Sequence, residues 1–176
     1  ETLAEILARP NFESDDLERL RNSMQTALRL GEQKPGTVAK KAFYRAVFDE
    51  HPYAIPSDGT QASLAAITRD QVVRFHKRYY VARNSVIAVV GAISRPQAEM
   101  LAERLTQGLE AGEPAAELPP VAPLQREQQE RFQFPSSQTH ILLGQPGLYR
   151  GDPDYFALYV GNHILGGSGL VSLLSK

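Results

Sequence analysis

Apolar residues in the first half of the chain recur at helical rather than strand spacing. Leu17, Leu20, Met24, Ala27 and Leu28 make a one-face stripe behind Ser14-Asp15-Asp16, whose acids suit the positive end of a helix dipole. Gly31 is the predicted stop, and Lys34-Pro35-Gly36 reads as a turn. A second helix is predicted from about Val38 to Phe48, with a loop from His51 to Gly59. Thr68-Arg69-Asp70-Gln71 has the spacing of a capping box, in which hydroxyl and amide side chains each satisfy a backbone N–H at the helix start. That helix should run to about Tyr80.

Beyond it the period shortens. Residues 85–90 are a β-branched apolar run closed by Gly91, which predicts a strand. Ser94-Arg95-Pro96-Gln97 opens another capped helix, with Ala98, Leu101, Ala102, Leu105 and Leu109 along one face. Residues 111–128 hold Pro114, Pro119, Pro120 and Pro123 without periodicity and read as an interdomain linker. Strands are predicted near 131–134 and 139–144. Asp152-Pro153 then caps a helix from about Asp154 to Leu165. Gly166-Gly167-Ser168-Gly169 breaks it, and 170–174 begins another.

Helices and strands mix without regular βαβ alternation, so the predicted class is α+β. The expected division is a unit over 1–110, the linker over 111–128, and the start of a second unit over 129–176, too short to bury a core alone. The chain opens at Glu1 inside a helical pattern (Leu3, Ile6, Leu7) and stops at Lys176 in another. Both ends look cut, and any targeting segment would lie upstream.

Composition narrows the chemistry mainly by exclusion. A net charge of -1 with no lysine/arginine cluster offers no footprint for nucleic acid or an anionic membrane surface. No apolar run approaches the ~18 residues of a membrane span. With no cysteine, thiol catalysis, thiolate metal sites and disulfides are out. The histidines at 51, 76, 140 and 163 leave no pair one helical turn apart, so neither H-E-x-x-H nor H-x-x-E-H is present.

Ser168 lacks the final glycine of a G-x-S-x-G elbow, and a glycine-rich turn between helices is the simpler reading. The same turn lacks the lysine and hydroxyl of a phosphate loop. His51, beside Pro52 and without a partner acid at fixed spacing, reads as structural although histidine titrates near neutrality. His76, amid Phe75, Tyr79 and Tyr80, reads as a core or interface histidine, and Tyr155, Phe156 and Tyr159 as core aromatics.

One ordered ladder remains: Phe48, His51-Pro52-Tyr53, Gly59, Ile67-Thr68, Phe75-His76, Tyr79-Tyr80, Asn84 and Val89-Val90-Gly91. A second block holds Thr139, Gly144, Asp152-Pro153, Tyr155, Leu158, Asn162, Leu165-Gly166-Gly167 and Ser172. Their joint order resembles a pitrilysin/insulinase-type zinc metallopeptidase, the family that includes the mitochondrial processing peptidase. The resemblance implies tandem two-layer α+β units, each a mostly antiparallel sheet packed on helices, joined where the proline-rich stretch falls.

In active members of that family an H-x-x-E-H helix, which here would lie upstream of Glu1, supplies two zinc ligands and the general base. The third ligand is a glutamate on the helix that here spans Ser14 to about Leu30, with another acid two turns earlier. Aligned on Glu18-Arg19-x-Arg21-Asn22, these positions read Ala27 and Leu20; slipped by two, they read Gln25 and Glu18. Neither alanine nor glutamine supplies the anionic oxygen that the site needs. Because Leu20 and Ala27 belong to the apolar stripe, the expectation is a face repacked as core and a chain with no catalytic residue and no metal of its own.

Zinc would then belong to a catalytic partner of the same family. Such a silent chain would close a substrate chamber and bind extended peptides by strand addition, with Gly166, Gly167, Ser168 and Gly169 as candidate peptide or partner contacts. The family's arginine/tyrosine substrate pair would fall beyond Lys176, and Leu173 stands where many relatives have arginine. The resemblance extends a periplasmic location from bacterial relatives. Two other readings stand beside this one: a zinc endopeptidase with a substituted third ligand such as Glu18, and a purely structural assembly subunit.

Overall fold

A computed structural model describes residues 2–167, 169 and 171–175. Its α-helices are α1 (Thr2–Ala8), α2 (Ser14–Glu32), α3 (Pro35–Phe48), α4 (Gln61–Ala66), α5 (Arg69–Tyr79), α6 (Arg95–Thr106) and α7 (Tyr155–Gly166). Short 3-10 turns occupy Pro52–Ala54, Ala82–Asn84 and Leu173–Ser175. No helix among the described residues is long and apolar enough to cross a membrane.

Local chemistry sets most helix starts. The Thr68 N–H donates to Gln71 Oε1 at 2.7 Å and Gln71 N–H returns a bond to Thr68 Oγ1, closing the capping box of α5. Thr60 and Ser63 do the same for α4. At α6 the Ser94 N–H and hydroxyl both donate to Gln97 Oε1. Two boundaries move from expectation. Gly31 does not stop α2, which runs to Glu32, and α3 starts at Pro35, whose missing N–H costs nothing at a first helical position.

The buried apolar side chains are Leu28 on α2, Val47 on α3, Leu64 on α4 and Val81 after α5. α2 packs on α3 and α4, and Val81 lies against Gly112. Three polar clamps add long-range ties. Arg21 donates to the Ala65 and Ile67 carbonyls at 3.0 and 2.6 Å, satisfying the end of α4 from the flank of α2. Arg69 donates to the Phe12 carbonyl (2.7 Å) and the Asn11 carbonyl (3.2 Å), fixing the α1–α2 connection. His76 Nε2 donates to the Leu7 carbonyl at 2.8 Å, while its ring stacks on Tyr80 and meets the Phe12 edge.

The expected α+β class with a mostly antiparallel sheet is not what folds: among the described residues there is no strand and no sheet. Segments 85–90, 131–134 and 139–144 are non-helical, as their β-branched and apolar composition suggests, yet no ladder forms. A strand exists only when a second backbone receives its N–H and C=O groups. Here Val86 and Val90 are 97 and 98 % exposed, and Ile141 and Leu143 are 85 and 97 % exposed. Segment 139–144 instead passes beside α3: a Cβ on Gly144 would press on the Phe43 ring, and Gly36 faces His140. The helix expected over 170–174 is replaced, within the described residues, by the short turn Leu173–Ser175.

Candidate functional site

The resemblance puts the expected third-ligand position on α2. Leu17, Arg21 and Gln25 are half-buried and Leu28 is buried, so these four define the inward side. At 3.6 residues per turn, Leu20 and Ala27 sit roughly 80–100° around the helix from Leu28. The expected repacking of Leu20 and Ala27 into the core is therefore not observed. Leu20 is 52 % exposed, Met24 is 40 % exposed, and Ala27 is exposed. The sequence stripe is split by burial: one edge packs and the other lies open.

That open edge does not fit zinc. Zinc takes thiolate, imidazole or carboxylate donors, and Leu20, Met24 and Ala27 offer none of these. In the alternative register Gln25 is half-buried, with its backbone carbonyl accepting from Gln61 Nε2 at 2.7 Å. Glu18 lies 3.4 Å from Arg21, whose guanidinium is its ion-pair partner. Among the described residues no three His, Asp or Glu side chains gather into a metal-binding group.

The histidines are dispersed into structural roles. His51 uses both ring nitrogens: Nε2 donates to the Pro119 carbonyl at 2.8 Å, and Nδ1 accepts from the Tyr53 N–H at 3.1 Å. A carbonyl can only accept, so this arrangement selects the neutral Nε2–H tautomer. His51 also packs with Phe48 and Tyr53 at the end of α3. His140 lies against Gly36, and His163 against Gly167.

The glycine-rich turn follows α7 directly. Gly166 closes the helix, and the Gly167 N–H donates to the His163 carbonyl at 2.9 Å. Gly167 has helical φ, so close approach explains its lack of a side chain: a Cβ there would collide with His163. A Cβ on Gly166 would touch Leu174, whereas one on Gly169 would meet open space. Ser168 lies outside the described residues. Ser172 is buried and shares a 3.0 Å hydroxyl contact with Ser175.

The aromatic face of α7 departs from expectation. Tyr155 packs on Phe156 and Tyr159, but Phe156 is 67 % exposed and Tyr159 is exposed as well, so these are surface aromatics of this chain.

Sequence reasoning missed one concavity. A half-open crevice of about 340 Å³ lies between the α1–α2 connection, α5 and residues 108–110, with Arg9, Arg69, Lys77 and Glu110 at its wall. Arg69 is committed there to the loop carbonyls. The Glu5 hydrogen bond and charge hold the Arg9 guanidinium's pKa above its ordinary value. No sequence spacing signals this crevice, because its walls come from three separate stretches.

Comparison with known proteins agrees with the two blocks of spaced residues. The family model described as peptidase M16 inactive domain matches residues 66–176. A crystal structure of a peptidase M16 inactive domain from Pseudomonas fluorescens superposes with a TM-score of 0.90 at 38 % identity, covering 98 % of this chain and 42 % of that one. An uncharacterized zinc protease of Mycobacterium leprae is 29 % identical over 98 % of this chain and 39 % of its own length. An uncharacterized zinc protease of Bacillus subtilis is 26 % identical over 96 % of this chain and 40 % of its own length. The chain thus spans about two fifths of the relatives it matches.

Proposed function

The chain belongs to the peptidase M16 inactive-domain family, and from that premise we propose that it is a non-catalytic part of a zinc-protease homologue. It acts through peptide binding, closure of a substrate chamber, or assembly with a zinc-bearing peptidase subunit. One observation carries the reading: the edge of α2 where the family's third ligand belongs presents Leu20, Met24 and Ala27 at the surface. An apolar edge cannot hold a divalent cation, whereas it can line a surface against which another chain packs.

Peptide or partner contact is assigned to the turn Gly166, Gly167, Ser168 and Gly169. Its support is the neighbouring exposed apolar surface, which includes Val171, Leu173 and Leu174. Glycine backbone at 166, 167 and 169 beside exposed apolar groups suits an extended peptide, which binds through main-chain bonds and side-chain pockets.

A second reading has its own observation: the curated relatives are named zinc proteases. Under it, a longer parent protein would cleave extended peptides with an H-x-x-E-H helix outside this sequence and a substituted third ligand. The experiment is to give quenched fluorescent peptides to the intact parent protein, alone, with and without added zinc, while following amide exchange. The proposal expects no turnover and slowed exchange near 166–175. Chelator-sensitive turnover would establish the second reading instead. No turnover with unchanged exchange would end the peptide-binding role and leave chamber closure or structural assembly.

A further inference from the structure

The proline-rich stretch lies bonded to the protein surface along its first half. Backbone N–H groups of Ala82 and Arg83 donate to the Glu110 and Ala111 carbonyls at 2.9 and 3.0 Å. Arg78 reaches the Glu113 carbonyl and Arg83 the Glu113 carboxylate, both at 3.2 Å. Asn84 bridges the two segments: its Nδ2 donates to the Tyr79 carbonyl, and its Oδ1 accepts the Ala115 N–H, both at 2.9 Å. Farther along, His51 Nε2 donates to the Pro119 carbonyl at 2.8 Å.

Gly112 makes this approach sterically feasible. Its φ of +58° favours glycine, and a Cβ there would collide with Val81, a side chain only 2 % exposed. Past Pro119 the pattern stops. Between 120 and 130, hydrogen bonding among the described residues is local, from Gln125 to the Pro123 carbonyl.

We propose that residues 110–119 are a fixed strap rather than a flexible tether. Asn84, Arg83 and His51 are its positioning residues, and bending between the preceding and following blocks is confined to 120–130. Mixed ties of this kind, backbone at one end and side chains along the rest, set the direction in which the chain leaves Pro119. Pro114, Pro119 and Pro120 stiffen the same stretch by fixing φ.

A glutamate-specific protease tests this with internal controls, because Glu110 and Glu117 lie in the strap while Glu127 and Glu130 lie beyond it, and none of the four precedes a proline. In the folded chain, cleavage at Glu127 and Glu130 should exceed that at Glu110 and Glu117 by about tenfold or more, as local opening governs access. Equal rates would overturn the strap. Gly112→Val should accelerate cleavage at Glu110 and Glu117 selectively.

Asn84→Ala should do likewise, and so should Asn84→Asp, which keeps an acceptor for the Ala115 N–H but turns a carboxylate oxygen toward the Tyr79 carbonyl. Unchanged strap cleavage in Asn84→Ala, or acceleration that is equal at Glu127 and Glu130, would refute Asn84 as a positioning residue. Should any variant fail to fold, hydrogen exchange of the unmodified chain decides the matter. The Ala82, Arg83 and Ala115 amides must then exchange more slowly than those of 124–130, and comparable exchange would overturn the strap.

Discussion

Residues 2–109 and the stretch after 128 are similarly rich in apolar side chains, yet they use them differently. Leu28, Val47 and Leu64 are buried on α2, α3 and α4 and Val81 just after α5, while Arg21, Arg69 and His76 tie distant carbonyls together in the same region. After residue 128, α7 is apolar on most of its faces but leaves Phe156, Leu158, Tyr159 and Ile164 exposed. A helix pairs its backbone groups within its own sequence, whereas a core requires a second surface of matching shape. Among the described residues, all four buried apolar side chains lie in the first region.

The largest effect that can break this contrast is core truncation. Leu28→Ala or Leu64→Ala should lower stability by ~2–4 kcal/mol, read from urea unfolding, because buried leucines leave cavities. Leu158→Ala on α7, where the side chain is 50 % exposed, should cost less than ~1 kcal/mol. Equal losses would show that α7 packs as tightly as α2.

Next in size is Arg21→Met. Removing the guanidinium from the Ala65 and Ile67 carbonyls should cost ~1–3 kcal/mol. No loss would mean that water replaces the clamp freely. Thr68→Ala opens the capping box of α5 and should cost ~1 kcal/mol, visible as a shifted midpoint with unchanged slope. Smallest is Arg19→Ala, which removes an exposed pair with Asp16. It should change stability by less than ~0.5 kcal/mol, and a larger loss would require a role for Arg19 beyond that pair.

Helices were legible because their signals are local. The Thr68/Gln71 and Ser94/Gln97 spacings identify helix starts without knowledge of what packs where. Strands were not, because β-branched residues at 85–90 and the apolar run at 141–143 describe extended chain, while a ladder needs a partner that no local pattern specifies. The α2 stripe shows a subtler failure. Leu20, Ala27 and Leu28 fall within about 100° of one another, and only contact with α3 and α4 decides which edge is covered.

Long-range polar ties left no trace in spacing either. Arg21 meets its carbonyls 44 and 46 residues away, and His51 meets Pro119 at a separation of 68. That Leu20, Gln25 and Ala27 carry no carboxylate needs only their identities, whereas the exposure of Leu20 and Ala27 needs the packing.

The central claim is that this family member holds no metal at the α2 face. The most direct measurement is the zinc content, by elemental mass spectrometry, of the intact parent protein purified alone without added metal or chelator. The account predicts zinc far below one equivalent, unchanged in Glu18→Gln. One equivalent of zinc that is lost on Glu18→Gln would contradict it and place a substituted ligand on α2.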